Sequence, residues 1–302
     1  MPLVLRVITL NCWALPLRWP FGSSDSRYRM AKIGEALLEQ KYDVVSLEEV
    51  WSEDDFIRLQ EMLKVAYPFS YYFHSGFTGS GVCIFCRHSI VSTLMHRYSL
   101  NGFAHHIHRG DWFGGKVVGM VEIEIGEYRI NYYATHLHAE YNRANDLYLP
   151  HRLSQAFELA QFVKHTSFSA DVIILTGDFN IEPDDLGYYL IVKTANLKDA
   201  WVEKPNKCDD CGATCERPDN CYTPECAKDA ALHGKRLDYI MYKSGRMRMN
   251  QIPGEKPINY SDHIGVYAEF SISDQHHPVF FCFNMLLLHL CGWGIWKGRG
   301  KR

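Results

Sequence analysis

Short apolar runs recur along the whole chain, and each is about the length of a buried β-strand. The runs are Leu3–Leu10, Val44–Leu47, Val82–Phe85, Val117–Ile125, Ile130–Ala134, Val172–Leu175, Leu237–Tyr242 and Ile264–Phe270. Between them, segments with helical periodicity are Tyr28–Gln40, Asp54–Lys64, Leu149–His165 and Pro183–Thr194. Many strands with a few long helices predict an α+β fold in which two β-sheets pack face to face with helices outside.

The charge of the chain is close to balanced. Its 302 residues carry 32 Lys and Arg against 35 Asp and Glu, a formal net charge of −3. Binding to nucleic acid without sequence preference is driven by a strong positive field. The composition therefore weakens a nuclease interpretation without excluding it, and predicts no nucleic-acid partner. The N-terminal stretch Met1–Trp13 has no small-residue cleavage pattern after it, which predicts a first β-strand and not a signal peptide.

Polar residues capable of chemistry stand at the ends of these runs. Those that follow a run are Asn11, Glu48, Glu49, His136, Asp178 and Asn180, and those at the start of a run are Asp238, Asp262 and His263. Because strand ends converge in space, we expect these side chains to share one site.

The set suits a phosphodiesterase that uses a hard cation. Mg²⁺ prefers near-octahedral oxygen coordination and keeps several waters, so Glu49 with Asn11 would suffice as protein ligands. One histidine could then take a proton from the attacking water, while the other, protonated, would stabilise charge on the phosphate oxygens. Each residue alone is a weak signal, because a buried Asn or Glu at a strand end is more often a structural hydrogen-bonding group.

Six motifs in order and spacing resemble those of the endonuclease/exonuclease/phosphatase superfamily, which has the DNase I-like fold. They are Asn11-Cys-Trp, Leu47-Glu-Glu-Val-Trp, Thr135-His-Leu, Gly177-Asp-Phe-Asn, Arg236-Leu-Asp-Tyr and Ser261-Asp-His. Within this superfamily, the strings Ser75-Gly-Phe-Thr-Gly-Ser-Gly and Thr135-His-Leu-His-Ala-Glu-Tyr-Asn are similar to those of neutral sphingomyelinases. The resemblance covers roughly residues 3–270 and implies a four-layer α/β/β/α sandwich of two mixed β-sheets.

The resemblance also implies an activity. Neutral sphingomyelinases hydrolyse sphingomyelin to ceramide and phosphocholine by in-line attack of water, with Mg²⁺ as cofactor and Mn²⁺ as a substitute. By matched position, Glu49 would bind the metal and Asn11 would assist it. Asp262 would lie at the edge of the metal site.

Catalytic roles follow from the same matched positions. His263 would be the general base, oriented by Asp238, and Asp178 would orient the attacking water. Asn180 would hydrogen-bond the phosphate. His136 would stabilise the pentacoordinate phosphate and contact the substrate. Proton abstraction by histidine suits neutral pH, because the unperturbed pKa is about 6.5.

A glycine-rich stretch contains the pair Asp111 and Lys116, with Trp112 and Phe113 beside them. In membrane-associated members of the family, the matched Asp and Lys look like a regulatory switch that reorganises the site when lipid binds. An anionic lipid is then an expected activator, and the two aromatic residues could enter a lipid interface. The alternative is a solvent-exposed ion pair across a turn, which contributes little energy.

The C-terminal residues differ in character from the rest. The stretch Val279–Trp296 is almost wholly apolar or aromatic and is followed by a basic end. As a helix it would span only about 27 Å, short of a bilayer core of about 30 Å. We predict a catalytic domain at 1–272 and a hydrophobic membrane-associating tail at 273–302, attached peripherally or half-inserted. The catalytic domain would face the cytosol at the endoplasmic reticulum or another intracellular membrane, unless the tail is a buried terminal helix.

Several interpretations stay open from the sequence alone. The cysteines Cys208, Cys211, Cys215, Cys221 and Cys226 could bind a structural zinc ion or form an oxidisable loop, although a single Cys-x2-Cys spacing is poor support for zinc. The three histidines His105, His106 and His108 indicate a polar loop. A phosphodiesterase acting on lyso-choline phospholipids, a Mg²⁺-dependent nuclease, a phosphomonoesterase and a non-catalytic lipid-binding module are the competing functions.

Overall fold

The computed structural model describes residues 3–15, 23–106, 109, 111–204, 212–224, 234–244, 247–252, 261–274 and 286–287. The strands are β1 (Leu3–Ala14), β2 (Val44–Val50), β3 (Phe69–Tyr72), β4 (Cys83–Cys86), β5 (Ile90–Arg97), β6 (Val117–Ile125), β7 (Tyr128–His136), β8 (Val172–Asp178), β9 (Lys198–Asp199), β10 (Asp238–Ser244), β11 (Met247–Ile252), β12 (Val266–Asp274) and β13 (Leu286–Leu287). The helices are α1 (Ser26–Gln40), α2 (Glu53–Leu63), α3 (Leu149–Thr166), α4 (Leu186–Ala195) and α5 (Ala200–Glu203).

The strands form two sheets. The first has the order β11-β12-β1-β2-β4-β3, with β13 paired to β12, and the second has the order β5-β6-β7-β8-β10-β9. Both sheets are mixed, because β1 pairs with β2 and β7 pairs with β8 in parallel, whereas the other pairs are antiparallel.

This topology decides where the site can lie. The carboxyl ends of β1, β2, β7 and β8 share one edge of the sandwich with the amino ends of their antiparallel neighbours β10 and β12. Polar residues at the carboxyl ends of four strands and polar residues at the amino ends of two others therefore meet at one place.

Three apolar cores hold the layers together. Side chains of both sheets, among them Val44, Phe270 and Tyr132, fill the space between the sheets. Val45, the next residue after Val44, belongs instead to the core under α1 and α2, because successive side chains of a strand point to opposite faces. A third core packs α3 and α4 on the second sheet through residues such as Leu159. The predicted four-layer sandwich is confirmed.

The helical segments are close to those expected from periodicity. The main difference is at the start of α4, which begins at Leu186 and not at Pro183, after Asp185 as its N-cap residue. Several strands were missed, above all β3 and β5. In β5 half-buried and exposed residues are mixed, because it is an edge strand, so it lacks an apolar run.

The predicted tail lies outside the described residues, except for the end of β12 and the short strand β13. Since β12 ends at Asp274, it crosses the predicted domain boundary after residue 272 by two residues. The division into 1–272 and 273–302 stays a prediction. Within the described residues, none of the helices has the length and apolarity needed to cross a membrane.

Candidate active site

The predicted site residues meet at the shared strand edge. Asn11 in β1 and Asp178 at the end of β8 come from different sheets, yet the amide of Asn11 donates to Asp178 Oδ2 at 2.9 Å. The same Nδ2 donates to Glu49 Oε1 at 2.9 Å. One amide therefore joins two carboxylates, and the two sheets, at the centre of the site.

The backbone is strained at three places around this centre. Trp13, Glu49 and Asn180 have φ values of 45°, 58° and 47°, in the left-handed region that L-residues rarely adopt. Such strain costs about 1–3 kcal/mol for each residue and is concentrated at functional sites. The conformation of Glu49 turns its side chain towards the site, whereas the preceding Glu48 is fully buried and accepts from Thr9 Oγ1 at 2.9 Å.

A glycine keeps β7 and β8 close beside the candidate catalytic residues. Gly177 has a φ of 134°, and a Cβ at this position would lie 1.9 Å from the carbonyl oxygen of Thr135. Only glycine fits there. The next residues in the two strands, His136 and Asp178, are consequently paired, with His136 Nε2 at 3.6 Å from Asp178 Oδ2.

His263 and Asp238 form a buried pair. His263 Nδ1 lies 2.8 Å from Asp238 Oδ2, and its Nε2 lies 3.8 Å from Asp178 Oδ2. Burial opposes the charged imidazolium, but a neighbouring thiol and the two carboxylates raise the pKa of His263 well above its ordinary value. The aspartate thus fixes the ring with Nε2 facing the site, which is the geometry of an oriented general base.

His136 has the opposite electrostatic character. Burial first, and then the positive charge of Lys116, lower the pKa of His136 well below its ordinary value. Asn180 Nδ2 lies 3.2 Å from His136 Nε2 and donates to the carbonyl of Leu137 at 3.1 Å. A phosphodiester anion beside His136 would favour the protonated form required by its predicted role.

The donor set fits a divalent cation. Burial and the neighbouring carboxylate of Asp262 raise the pKa of Glu49, and burial and Asp238 raise the pKa of Asp178 to about 7. Crowded buried carboxylates of this kind are what a hard cation relieves. Ligand atoms of Asp178, Asp238 and His263 also lie within 4.8 Å of one another.

Asn11 and Asp262, the other residues predicted at the metal site, differ in their contacts. Asn11 Oδ1 accepts from the Trp13 backbone at 2.9 Å, and its amide nitrogen faces the carboxylates. Asn11 therefore supports Glu49 in this arrangement, and direct ligation by Asn11 stays a prediction. Asp262 is half-buried, accepts from Ser261 Oγ at 3.0 Å and lies close enough to Glu49 to raise the pKa of that carboxyl, and its place at the edge of the metal site stays a prediction.

Comparison with known proteins identifies the family. The sequence pattern of the Endonuclease/Exonuclease/phosphatase family matches residues 8–263. The chain belongs to this family. It is 57% identical over 294 residues to the "Putative neutral sphingomyelinase" of Caenorhabditis elegans, covering 90% of this chain and 67% of that protein. It is 44% identical over 241 residues to human "Sphingomyelin phosphodiesterase 2", covering 80% of this chain and 56% of that protein.

The fold of the family is also found among solved structures. A variant of the beta toxin from Staphylococcus aureus, solved with bound magnesium ions, superposes with a TM-score of 0.63 and 20% identity, covering 89% of this chain and 99% of that one. This likeness shows the DNase I-like fold that the motifs predicted. The chain spans about two thirds of the worm protein and little more than half of the human one.

The predicted switch pair of this family member is buried. Lys116 Nζ lies 3.1 Å from Asp111 Oδ1 and donates to the carbonyl of Leu137 at 2.9 Å, and the Lys116 side chain is 0% exposed. Lys116 and His138 outweigh the effect of burial, so the pKa of Asp111 lies below its ordinary value. The solvent-exposed alternative is wrong. Through Leu137, the residue after His136, the pair is attached to the end of β7.

Breaking this pair has a predicted cost in stability. Asp111→Asn leaves a buried ammonium without its counter-charge, so we expect a loss of about 3 kcal/mol in the free energy of unfolding, measured with urea. The double substitution Asp111→Asn with Lys116→Met should recover much of that loss. Glu61→Gln, which breaks the exposed pair with Lys64, is the control and should change little. A loss from Asp111→Asn no larger than that of the control would contradict the buried geometry.

One supporting residue was missed from the sequence. Arg29 of α1 is buried and donates to the carbonyl oxygens of Cys12 at 2.6 Å and Trp13 at 2.7 Å, with its guanidinium 5.0 Å from the centre of the Trp13 ring. It holds the turn that fixes Asn11. A signal existed, because Arg29 is four and eight residues before Ile33 and Leu37, on the apolar face of the helix.

The cysteine and histidine clusters add no metal site among the described residues. Cys215 is buried beside His263, Cys221 is exposed, and the other three cysteines of the cluster lie outside the described part of the chain. The polar-loop prediction fits His106, whose Nδ1 lies 2.6 Å from the Tyr148 hydroxyl. His108 lies outside the described residues. His138 is fully buried and stacks on Tyr148 with ring centres 4.2 Å apart.

Proposed function

We propose that this chain is a Mg²⁺-dependent sphingomyelin phosphodiesterase that releases ceramide and phosphocholine. The observation that carries the proposal is the His263–Asp238 pair, whose Nε2 faces the crowded carboxylates of Asp178 and Glu49. A base next to a cation site is the arrangement needed to attack a phosphodiester with water. The sphingomyelinase names of the relatives support the choice of substrate.

The residues divide the reaction between them. Asp178 and His263 orient a water for in-line attack, and His263 Nε2 takes its proton as the new P–O bond forms. Asn180 and His136 hold the non-bridging oxygens, and the P–O bond to ceramide breaks as its alkoxide takes a proton from solvent, to which His263 later returns the proton that it removed. Glu49 would hold Mg²⁺ with the support of Asn11. When bound, the cation polarises the phosphoryl oxygen and opposes protonation of the nearby base.

A lipid substrate requires a surface that can meet a membrane, and two paired loops next to the site provide one. In these loops, residues 75–79 and 111–115, Gly76 pairs with Gly114. Phe77 is 91% exposed and Trp112 is 44% exposed. A Cβ at Gly114 would lie 3.1 Å from the ring of Trp51, whose Nε1 is 3.4 Å from Glu49 Oε2. The loop that carries Trp112 thus reaches the candidate metal ligand through Gly114 and Trp51.

Loss of these aromatic side chains should weaken membrane binding selectively. Phe77→Ala and Trp112→Ala should each reduce affinity for sphingomyelin vesicles about tenfold, because burying such a side chain contributes about 1.5–3 kcal/mol. Turnover of a dispersed short-chain substrate should be unaffected. Phe168→Ala is the control, since Phe168 is 81% exposed and precedes β8 at the opposite edge of the sandwich. Equal losses for all three variants in vesicle sedimentation would refute this surface.

Attachment to a membrane and its regulation remain parts of the proposal. We propose that residues 273–302 associate with the membrane peripherally or half-inserted, with the catalytic domain of 1–272 facing the cytosol at the endoplasmic reticulum or another intracellular membrane. An anionic lipid would activate the enzyme through the Asp111–Lys116 pair. Resistance of the bound protein to alkaline carbonate extraction would count against the peripheral form.

One activity screen tests the proposed function. The purified chain is incubated with sphingomyelin vesicles, a lyso-choline phospholipid, a phosphoinositide and abasic DNA, each with Mg²⁺ and with EDTA. The proposal predicts Mg²⁺-dependent release of phosphocholine from sphingomyelin. Faster turnover of the lyso-lipid would show that the preferred substrate is a lyso-choline phospholipid, cleaved by the same phosphodiesterase reaction. Cleavage of DNA alone would reject the proposal of a lipid phosphodiesterase.

A further inference from the structure

The catalytic pair is assembled from two different sheets. Asp238 is the first residue of β10 in the second sheet, and His263 precedes β12 in the first sheet. The sheets are joined mainly by apolar packing, which is not directional. A hydrogen bond of 2.8 Å between side chains of separate sheets therefore needs a polar contact that sets its geometry.

Thr214 lies between the two strand starts and bonds to both. Its hydroxyl oxygen accepts from the backbone N–H groups of Leu237 and Asp238, each at 3.1 Å. Its carbonyl oxygen accepts from the N–H of Ile264 at 2.7 Å, and its own N–H donates to the carbonyl of Lys235 at 2.7 Å.

Burial makes these bonds effective. Thr214 is 2% exposed, so water does not compete strongly for its polar groups. The next residue, Cys215, forms isolated β-bridges with both Lys235 and His263. Two consecutive residues of this loop therefore contact the segments that precede β10 and β12. A hydroxyl oxygen has two lone pairs, and the two backbone donors use both.

We infer that Thr214 is a positioning residue that fixes Asp238 relative to His263 and thereby holds the general base in register across the two sheets. The inference rests on the proposed function for the catalytic role of His263, whereas the contact itself is independent of the substrate. Asn220, from the same loop, makes a second tie by donating to the carbonyl of Ser261 at 2.8 Å. Thr214 is distinguished by contacting both sides of the pair.

The variant Thr214→Val tests the inference, because it keeps the shape of the side chain and removes the acceptor. We expect kcat on sphingomyelin vesicles to fall about 10²-fold with KM within about twofold, since a displacement near 1 Å can cost that much in rate. The pKa of the acidic limb of the kcat–pH profile, which reports the general base, should fall, because His263 loses part of its contact with Asp238. Thr214→Ser keeps the hydroxyl and should retain kcat within about threefold.

Two measurements separate positioning from a general loss of structure. Thr166→Val removes a hydroxyl that donates to the Phe162 carbonyl at 2.7 Å, at the end of α3, and is the matched control for stability. In proton NMR, the downfield signal of the His263 Nδ1–H bonded to Asp238 should be present in wild type and Thr214→Ser, and shifted or lost in Thr214→Val. This signal requires no substrate, so it stands even if the proposed substrate is wrong.

The rate and NMR measurements together either support or overturn the positioning role of Thr214. Loss of rate and of the NMR signal in Thr214→Val, with folding equal to that of Thr166→Val, supports the inference. An unchanged Nδ1–H signal overturns it, as does a fall in kcat that only matches the fraction of unfolded protein. Failure of wild type to cleave sphingomyelin would reject the proposed function and leave the NMR comparison as the test of Thr214.

Discussion

His263→Ala should lower kcat for sphingomyelin hydrolysis by about 10³-fold or more, with little change in KM. The expected size follows from the loss of a positioned general base, which typically contributes about 10²–10⁴ in rate. Asp238→Asn should cost nearly as much, because the amide no longer holds the imidazole with Nε2 directed at the attacking water. Initial rates of phosphocholine release from vesicles measure both effects.

Controls for this prediction come from the same chain. His165→Ala removes an exposed histidine at the end of α3 whose Nε2 lies 3.1 Å from Gln161 Oε1, and it should behave as wild type. The double variant of His263 and Asp238 should be no slower than His263→Ala alone, because the two residues act as a unit. Multiplicative losses, or a His263→Ala enzyme with more than about a tenth of the wild-type rate, would contradict the assigned base.

Removal of the cation should have an effect of similar size. EDTA should abolish turnover, and Mg²⁺ should restore it. Glu49→Gln should raise the Mg²⁺ concentration required for half-maximal activity about 10²-fold, since it removes one charge from the ligand set while Asn11 can still donate to the new amide oxygen. Glu39→Gln, on the exposed side of α1, is the matched control. If Glu49→Gln leaves the required Mg²⁺ concentration unchanged, Glu49 is not a ligand of the metal.

Binding of the cation should also be visible in stability, without any substrate. The pKa of Asp178 is raised in the folded protein by burial and by Asp238, from 3.8 to about 7. A raised acid pKa means that folding favours the protonated form, so the metal-free protein loses stability as pH rises from about 4 to about 7. Mg²⁺ relieves the ionised cluster, and its effect on Tm should therefore be larger at pH 8 than at pH 5. Equal shifts at both values would argue against binding at Asp178.

The layered fold and the content of the site were predictable from the sequence for a physical reason. Buried strands are nearly continuous apolar runs, and a polar residue such as His136 or Asp178 at the end of one is conspicuous. Spatial grouping was harder to derive, because Asp238 and His263 stand at the amino ends of their strands. They reach the same edge only through antiparallel pairing with β8 and β1, which the apolar runs do not specify.

Other features depend on contacts that have no periodic signal. The burial of Lys116 arises from its ion pair with Asp111 and its bond to the carbonyl of Leu137, and a lysine in a glycine-rich stretch gives no sign of either. Thr214 is a similar case, because its four hydrogen bonds involve backbone groups of residues 20 or more positions away. Edge strands such as β5 lack the apolar run that reveals buried strands.

The most direct test of the central claim is hydrolysis of sphingomyelin vesicles in heavy-oxygen water, with both products analysed by mass spectrometry. Attack of water on phosphorus, with Mg²⁺ present, predicts that the label enters phosphocholine and that ceramide is unlabelled. His263→Ala and EDTA should each suppress both products. Label in ceramide, release of free choline, or no lipid product from an enzyme that cleaves abasic DNA would contradict the account.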